Sequence, residues 1–220
     1  MATEPDLQKM AEAMDLAIAQ ANTSWARVEN AMASLLEWLL DYSTDNVALH
    51  IYFAPSNTET RFKIVDAVAR VKWKDYKTHD LLAEWVPIFT DLGRAKDVRN
   101  RIAHGQVECP GRKVKGGNLK YQARLTALSF DLARRQRERK PRQWPGMSVH
   151  DVKATVSRFF WLAVRIEEMG EYYWMASSTG QHASLPEKFA RIIERRLNSG
   201  PLSSDLNPPK PKDLHRSSRK

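Results

Sequence analysis

The stretch VRNRIAHG, residues 98–105, closes a long helical pattern with three groups suited to phosphate chemistry: Arg99, Asn100 and His104. On a helical wheel at about 100° per residue, Ile88, Phe89, Leu92, Ala95 and Ala103 share one side, and Arg99 falls near its middle. Lys96 lies one turn earlier on the same side, Asn100 and His104 are neighbours four residues apart, and Arg101 points away. An arginine on an apolar stripe is costly unless it is paired or hydrated, so the pattern predicts a polar pocket gained at the expense of packing. Imidazole is the side chain best matched to acid and base work at neutral pH. A guanidinium offers forked donors for phosphate oxygens, and an amide can hold the same phosphate or orient the ring. Together they suit phosphoryl transfer. No nucleophilic serine is needed where the substrate brings its own nucleophile, as RNA does with its 2′-hydroxyl.

These residues have to be positioned by helices, and five stretches read as helix. The first is PDLQKMAEAMDLAIAQA; a second starts at a Thr23 or Ser24 cap and carries Val28, Ala31, Met32, Leu35, Leu36 and Leu39 on one stripe. A third follows SNTE, where Ser56 and Glu59 have capping-box spacing, and buries Phe62, Val65, Val68 and Ala69. The fourth runs from about His79 to His104, with a bend at Pro87 and a stop at Gly105. The last starts at a Ser148 cap with Asp151 in its first turn and turns Val152, Val156, Phe159, Phe160, Ala163 and Ile166 inward. Its further aromatics, Trp161, Tyr172, Tyr173 and Trp174, have the spacing of core or dimer contacts more than of a base-stacking platform.

Between the fourth and last helices the composition changes. Residues 106–147 hold glycines, prolines and dense positive charge, and read as a basic insertion. Gly116 and Gly117 can turn a β-hairpin there, with Leu119, Tyr121, Ala123 and Leu125 on one face. A short helix is expected around PEKFARIIERRL, followed by a tail, 198–220, too poor in apolar residues to fold. The expectation is a single domain over 1–197, an all-α bundle of about five helices with the insertion as its appendage.

Charge is unevenly spread along the 220 residues, whose formal net charge is +9. Residues 1–60 carry two basic and nine acidic side chains, net −7, whereas residues 101–140 carry eleven and three, net +8. That polarity implies a basic surface and an anionic partner. In the run RRQRERKPR, Arg134, Arg135, Arg137, Arg139 and Lys140 are candidates, with Lys96, for an RNA-backbone groove; the bland alternative is a solvated loop. One cysteine, Cys109, excludes an intrachain disulfide, and the six histidines are scattered, so neither a metal site nor a cofactor is expected. The charged N-terminus and the absence of a long apolar run point to a soluble, cytoplasmic protein with no membrane partner.

Arg99-Asn100-x-x-x-His104 before Gly105, on a chain of amphipathic helices, resembles the R-N-x-x-x-H signature of the HEPN superfamily of small helical proteins. The resemblance covers roughly residues 24–105 and 148–175. It implies a metal-independent endoribonuclease, often a toxin or defence protein, that dimerises with two motifs in one cleft and leaves a 2′,3′-cyclic phosphate. By the same resemblance His104 is general base or acid, Arg99 stabilises the phosphorane and Asn100 positions phosphate or imidazole. A homodimer and a restraining antitoxin or regulatory protein are the implied partners. The alternative is a non-catalytic helical dimer that binds RNA or an acidic protein; in it Arg99 pairs across the dimer seam and His104 caps the helix.

Overall fold

Residues 4–41, 46–74, 79–113, 119–127 and 146–179 are described in a computed structural model of the chain. The chain divides into Met1–Thr179 and Gly180–Lys220, and all described residues belong to the first unit. The segment 186–197, the tail and the run 134–142 lie outside them.

Helix α1 spans Glu4–Leu39 without interruption, so the expected break at Thr23 or Ser24 does not occur. Thr23 turns its hydroxyl back onto the Ala19 carbonyl at 3.1 Å, satisfying itself inside the helix instead of capping a new one. Its buried stripe runs through Met14, Ala17, Ala21, Trp25, Val28, Met32, Leu35 and Leu39, which removes any reason to stop. A seven-residue helix not foreseen from the sequence, α2 (Val47–Phe53), follows and buries Ala48 and Tyr52. Helix α3 (Thr58–Lys74) is capped by Asn57, whose Oδ1 accepts the Thr60 N–H at 2.7 Å; Ser56 is not the cap. It buries Phe62, Val65, Ala69 and Trp73 and leaves Val68 half-buried.

Helix α4 (His79–Ala103) runs through Pro87. The last long helix, α5 (Val149–Thr179), starts where expected: the Ser148 hydroxyl donates to Asp151 Oδ2 at 2.7 Å and accepts the Asp151 N–H at 3.3 Å. Val152, Phe159, Ala163 and Ile166 face inward as expected, but Phe160 is exposed. Helix α5 lies parallel to α1: Met14 shares a cluster with Val152, Trp25 meets Phe159 at 5.1 Å, and Trp38 rests on Gly170, where a β-carbon would collide with its ring. Helix α4 runs antiparallel to both, with Ile102 near Met14 and Val152 and Asp91 against Arg165 of α5 at 3.4 Å, and Trp85 meets Trp73 of α3 at 5.8 Å. Trp85 Nε1 donates to Asp66 Oδ1 at 2.8 Å, which fixes α4 against α3.

The segment after α4 forms the hairpin. Strands β1 (Gly105–Glu108) and β2 (Gly111–Lys113) pair with β4 (Arg124–Ala127) and β3 (Leu119–Tyr121) in one antiparallel register, from Gly105 opposite Ala127 to Lys113 opposite Leu119. The ladder is interrupted at Pro110, which has no N–H to give. The turn, with Gly116 and Gly117, lies outside the described residues. A short strand β5 (Met147–Ser148) completes the three-stranded sheet in the order β1-β4-β5. Ala123, Leu125 and Met147 pack with Ile102 and with Met14, Ala17 and Ala21, so this part of the basic segment contributes to the core. No described helix is long and apolar enough to cross a membrane.

Trp25 is the residue on which three helices meet, set between Phe62 of α3, tilted at 5.8 Å, and Phe159 of α5, edge-on at 5.1 Å, and 2% exposed. Trp25→Ala is expected to cost about 3–5 kcal/mol, the range for deleting a buried aromatic. Urea unfolding reads it; a loss below about 1 kcal/mol would contradict the packing described.

Candidate functional site

Along α4 the buried positions are Leu81, Trp85, Ile88, Leu92, Ala95 and Ile102, alternating four and three residues apart. The one position missing from that series is 99, where Arg99 stands. The inward residue at the helix end is therefore Ile102, and Ala103 is exposed. Arg99 is half-buried, and its Nε is fully buried with no hydrogen bond among the described residues. Its Nη1 donates to Asn100 Oδ1 at 3.3 Å. An unmade hydrogen bond at a buried N–H costs about 1–3 kcal/mol. Arginine at this position thus weakens the fold relative to an apolar side chain of similar length.

Asn100 and His104 are both exposed, one turn apart, and the His104 N–H donates to the Asn100 carbonyl at 3.1 Å in the final turn. After it the chain enters β1 directly. Gly105 is needed for room: a β-carbon there would lie 2.7 Å from Leu125 Cγ and 2.9 Å from the Arg101 carbonyl oxygen. Helix end, histidine and sheet are thereby fixed to one another, because Leu125 itself is fully buried.

Lys96 is placed differently from a free cation. Its Nζ lies 2.9 Å from Glu59 Oε2, and the other oxygen of Glu59 is 2.7 Å from Lys63 Nζ. Hydrogen bonds from Lys63 and then Lys96 hold the Glu59 carboxyl well down, at about 2. The sequence marks Glu59 only by its capping-box spacing; its pairing with α4 joins positions 37 apart and has no local signal. Glu29 accepts the Thr58 hydroxyl at 2.8 Å, at the start of α3, and so serves the junction of α1 and α3. Arg134, Arg135, Arg137, Arg139 and Lys140 lie outside the described residues.

A second charged cluster lies farther back on α4. Asp91 faces Arg94 at 3.6 Å, Arg165 at 3.4 Å and Arg158 at 4.0 Å, across the seam with α5. On α5, Phe160 and Trp161 are exposed, the latter 56% accessible, and Arg27 lies over the Phe160 ring at 4.8 Å while paired with Glu167. Of the α5 aromatics considered from the sequence, Tyr173 is core and Trp161 and Trp174 are surface. Among the described residues no group of three or more His, Cys, Asp or Glu side chains could hold a metal ion. Comparison with family models, with curated proteins and with solved structures found no match.

The position of Arg99 makes a stability prediction. Arg99→Met, which keeps the length and removes the charge and the unpartnered Nε, should raise Tm by about 2–4 °C, the shift of roughly 1 kcal/mol in a chain of this size. A lowered Tm would mean that Arg99 is held by structural pairing, and the site reading would lose its basis.

Proposed function

We propose that this chain is a metal-independent endoribonuclease of the HEPN type, acting in the cytoplasm through Arg99, Asn100 and His104. The observation that carries this reading is the cationic residue on the buried stripe of α4, with its Nε unpartnered, immediately before an exposed asparagine and an exposed histidine. A stability cost of that kind is characteristic of functional groups.

In the proposed reaction the RNA 2′-oxygen attacks the adjacent phosphorus while His104 accepts its proton. The bond from phosphorus to the 5′-oxygen breaks, and that oxygen takes a proton from a general acid. Arg99 offsets the charge that develops on the phosphorane oxygens, and Asn100 holds phosphate or ring in line. The products are a 2′,3′-cyclic phosphate and a 5′-hydroxyl. His104 of a second copy is the proposed acid, which makes the working species a homodimer with both α4 ends in one cleft. Lys96 and the run 134–142 supply the backbone contacts, and a regulatory protein restrains the activity.

Single-stranded RNA should be cut in the presence of EDTA while DNA of the same sequence is spared. His104→Ala should lose roughly 10²-fold or more of the rate, the low end for a general acid or base, without lowering Tm. Cleavage that stops with the chelator, equal cutting of DNA, or a His104→Ala variant as fast as wild type would each overturn the reading.

A further inference from the structure

We propose that Glu59 sets the affinity of the α4 end for RNA by acting as the counter-ion of Lys96, so that phosphate must compete with this carboxylate for the lysine. The inference rests on the reading of that helix end as an RNA site, and it adds a residue from α3 to it.

The geometry is a bridge. One carboxylate lies between two ammonium groups, using a different oxygen for each, at 2.9 Å from Lys96 and 2.7 Å from Lys63. Lys96 is three residues before Arg99 and four before Asn100, so it stands on the next turn of the same ridge. Its side chain is 22% exposed, whereas Glu59 is 53% exposed and Lys63 67%. The lysine is thus lodged against the protein with its charged end at the surface, and the carboxylate is open to solvent. With its carboxyl held near 2, Glu59 stays ionised at any working pH and cannot release Lys96 by taking up a proton.

A phosphate approaching Lys96 meets a negative charge already in contact with it. Each phosphate neutralised by a cation contributes to the salt dependence of binding, about 0.7 per contact on a single strand, and a cation satisfied internally contributes less. Glu59 therefore lowers RNA affinity while leaving the ridge polar and hydrated. Weak uniform binding of this kind suits turnover, because tight binding of substrate and product alike does not raise kcat. Arg99 differs in this respect: its Nε has no partner among the described residues, so it is not discounted in the same way.

The test is binding of a 2′-O-methyl RNA oligonucleotide, which lacks the nucleophile and is not cut, followed by fluorescence anisotropy across a salt series. Glu59→Gln should lower Kd about fivefold, the scale of one exposed ion pair, and steepen the plot of log Kd against log salt by about 0.7. Lys96→Met keeps the aliphatic stem and removes the charge; with Glu59 present it should flatten the slope by well under that amount, because the lysine is already neutralised, and in the Glu59→Gln background by about 0.7. In the Lys96→Met background the effect of Glu59→Gln should shrink, since Lys63 alone is then released. A purely structural role for Glu59 would move Tm and leave the salt slope alone. Unchanged or weaker binding by Glu59→Gln, or an effect of the same size with and without Lys96, overturns the inference. Should Lys96→Met melt early, Glu59→Gln at its exposed position carries the test alone. If wild type cuts RNA yet Glu59→Gln leaves Kd and slope unaltered, only this inference falls. If binding shifts as stated and nothing is cut, the ribonuclease reading falls and this one stands. No binding by any form overturns both.

Discussion

Everything in the described part of the chain is arranged by one apolar stripe, the inward face of α1 from Met14 to Leu39. Most of the stability of this 36-residue helix comes from burying that face. Helix α5 covers it in parallel, α3 packs beside it through Trp25 and Phe62, and the sheet closes its N-terminal half through Leu125 and Met147. Parallel neighbours need a long crossover. Here α2, α3, α4 and the hairpin provide it, and α4 returns antiparallel against both.

That arrangement fixes where α4 ends. Trp85 is tied to Asp66 at one end of the helix and Ile102 is locked among Met14, Leu125 and Val152 at the other, so the helix can neither rotate nor slide. Position 99, one turn before Ile102, is then forced toward the interior, and a side chain with a charge must stand at the boundary between core and solvent. The same anchoring presents Asn100 and His104 on the exposed side of the final turn. Rigid support for exposed polar groups is the general requirement of a preorganised site. The proposed chemistry draws on that support, with Arg99 offsetting the developing charge.

The helical class, the hairpin, the Ser148 cap and the odd placement of Arg99 were legible because each rests on local signals: periodicity, turn glycines and capping side chains. The false break at Thr23 came from the same kind of signal, a cap residue whose hydroxyl bonds to Ala19 within a helix that tertiary burial keeps intact. Seven residues of α2 are too few to show a period. Ile102 rather than Ala103 faces inward because Met14 and Leu125, distant in sequence, supply the contact. Phe160 faces outward under Arg27, a pairing between α1 and α5. The Glu59–Lys96 bridge is of the same kind, and no local pattern could have announced it.

In the proposed reaction the substrate's own 2′-hydroxyl is the nucleophile, and the α4 end supplies only proton transfer and charge stabilisation. Mass spectrometry of the RNA fragments tests it most directly, since the chemistry is written on the new ends. A 2′,3′-cyclic phosphate on one fragment and a 5′-hydroxyl on the other are the expected ends. A 3′-hydroxyl opposite a 5′-phosphate would show that water or another nucleophile had attacked, and would contradict it.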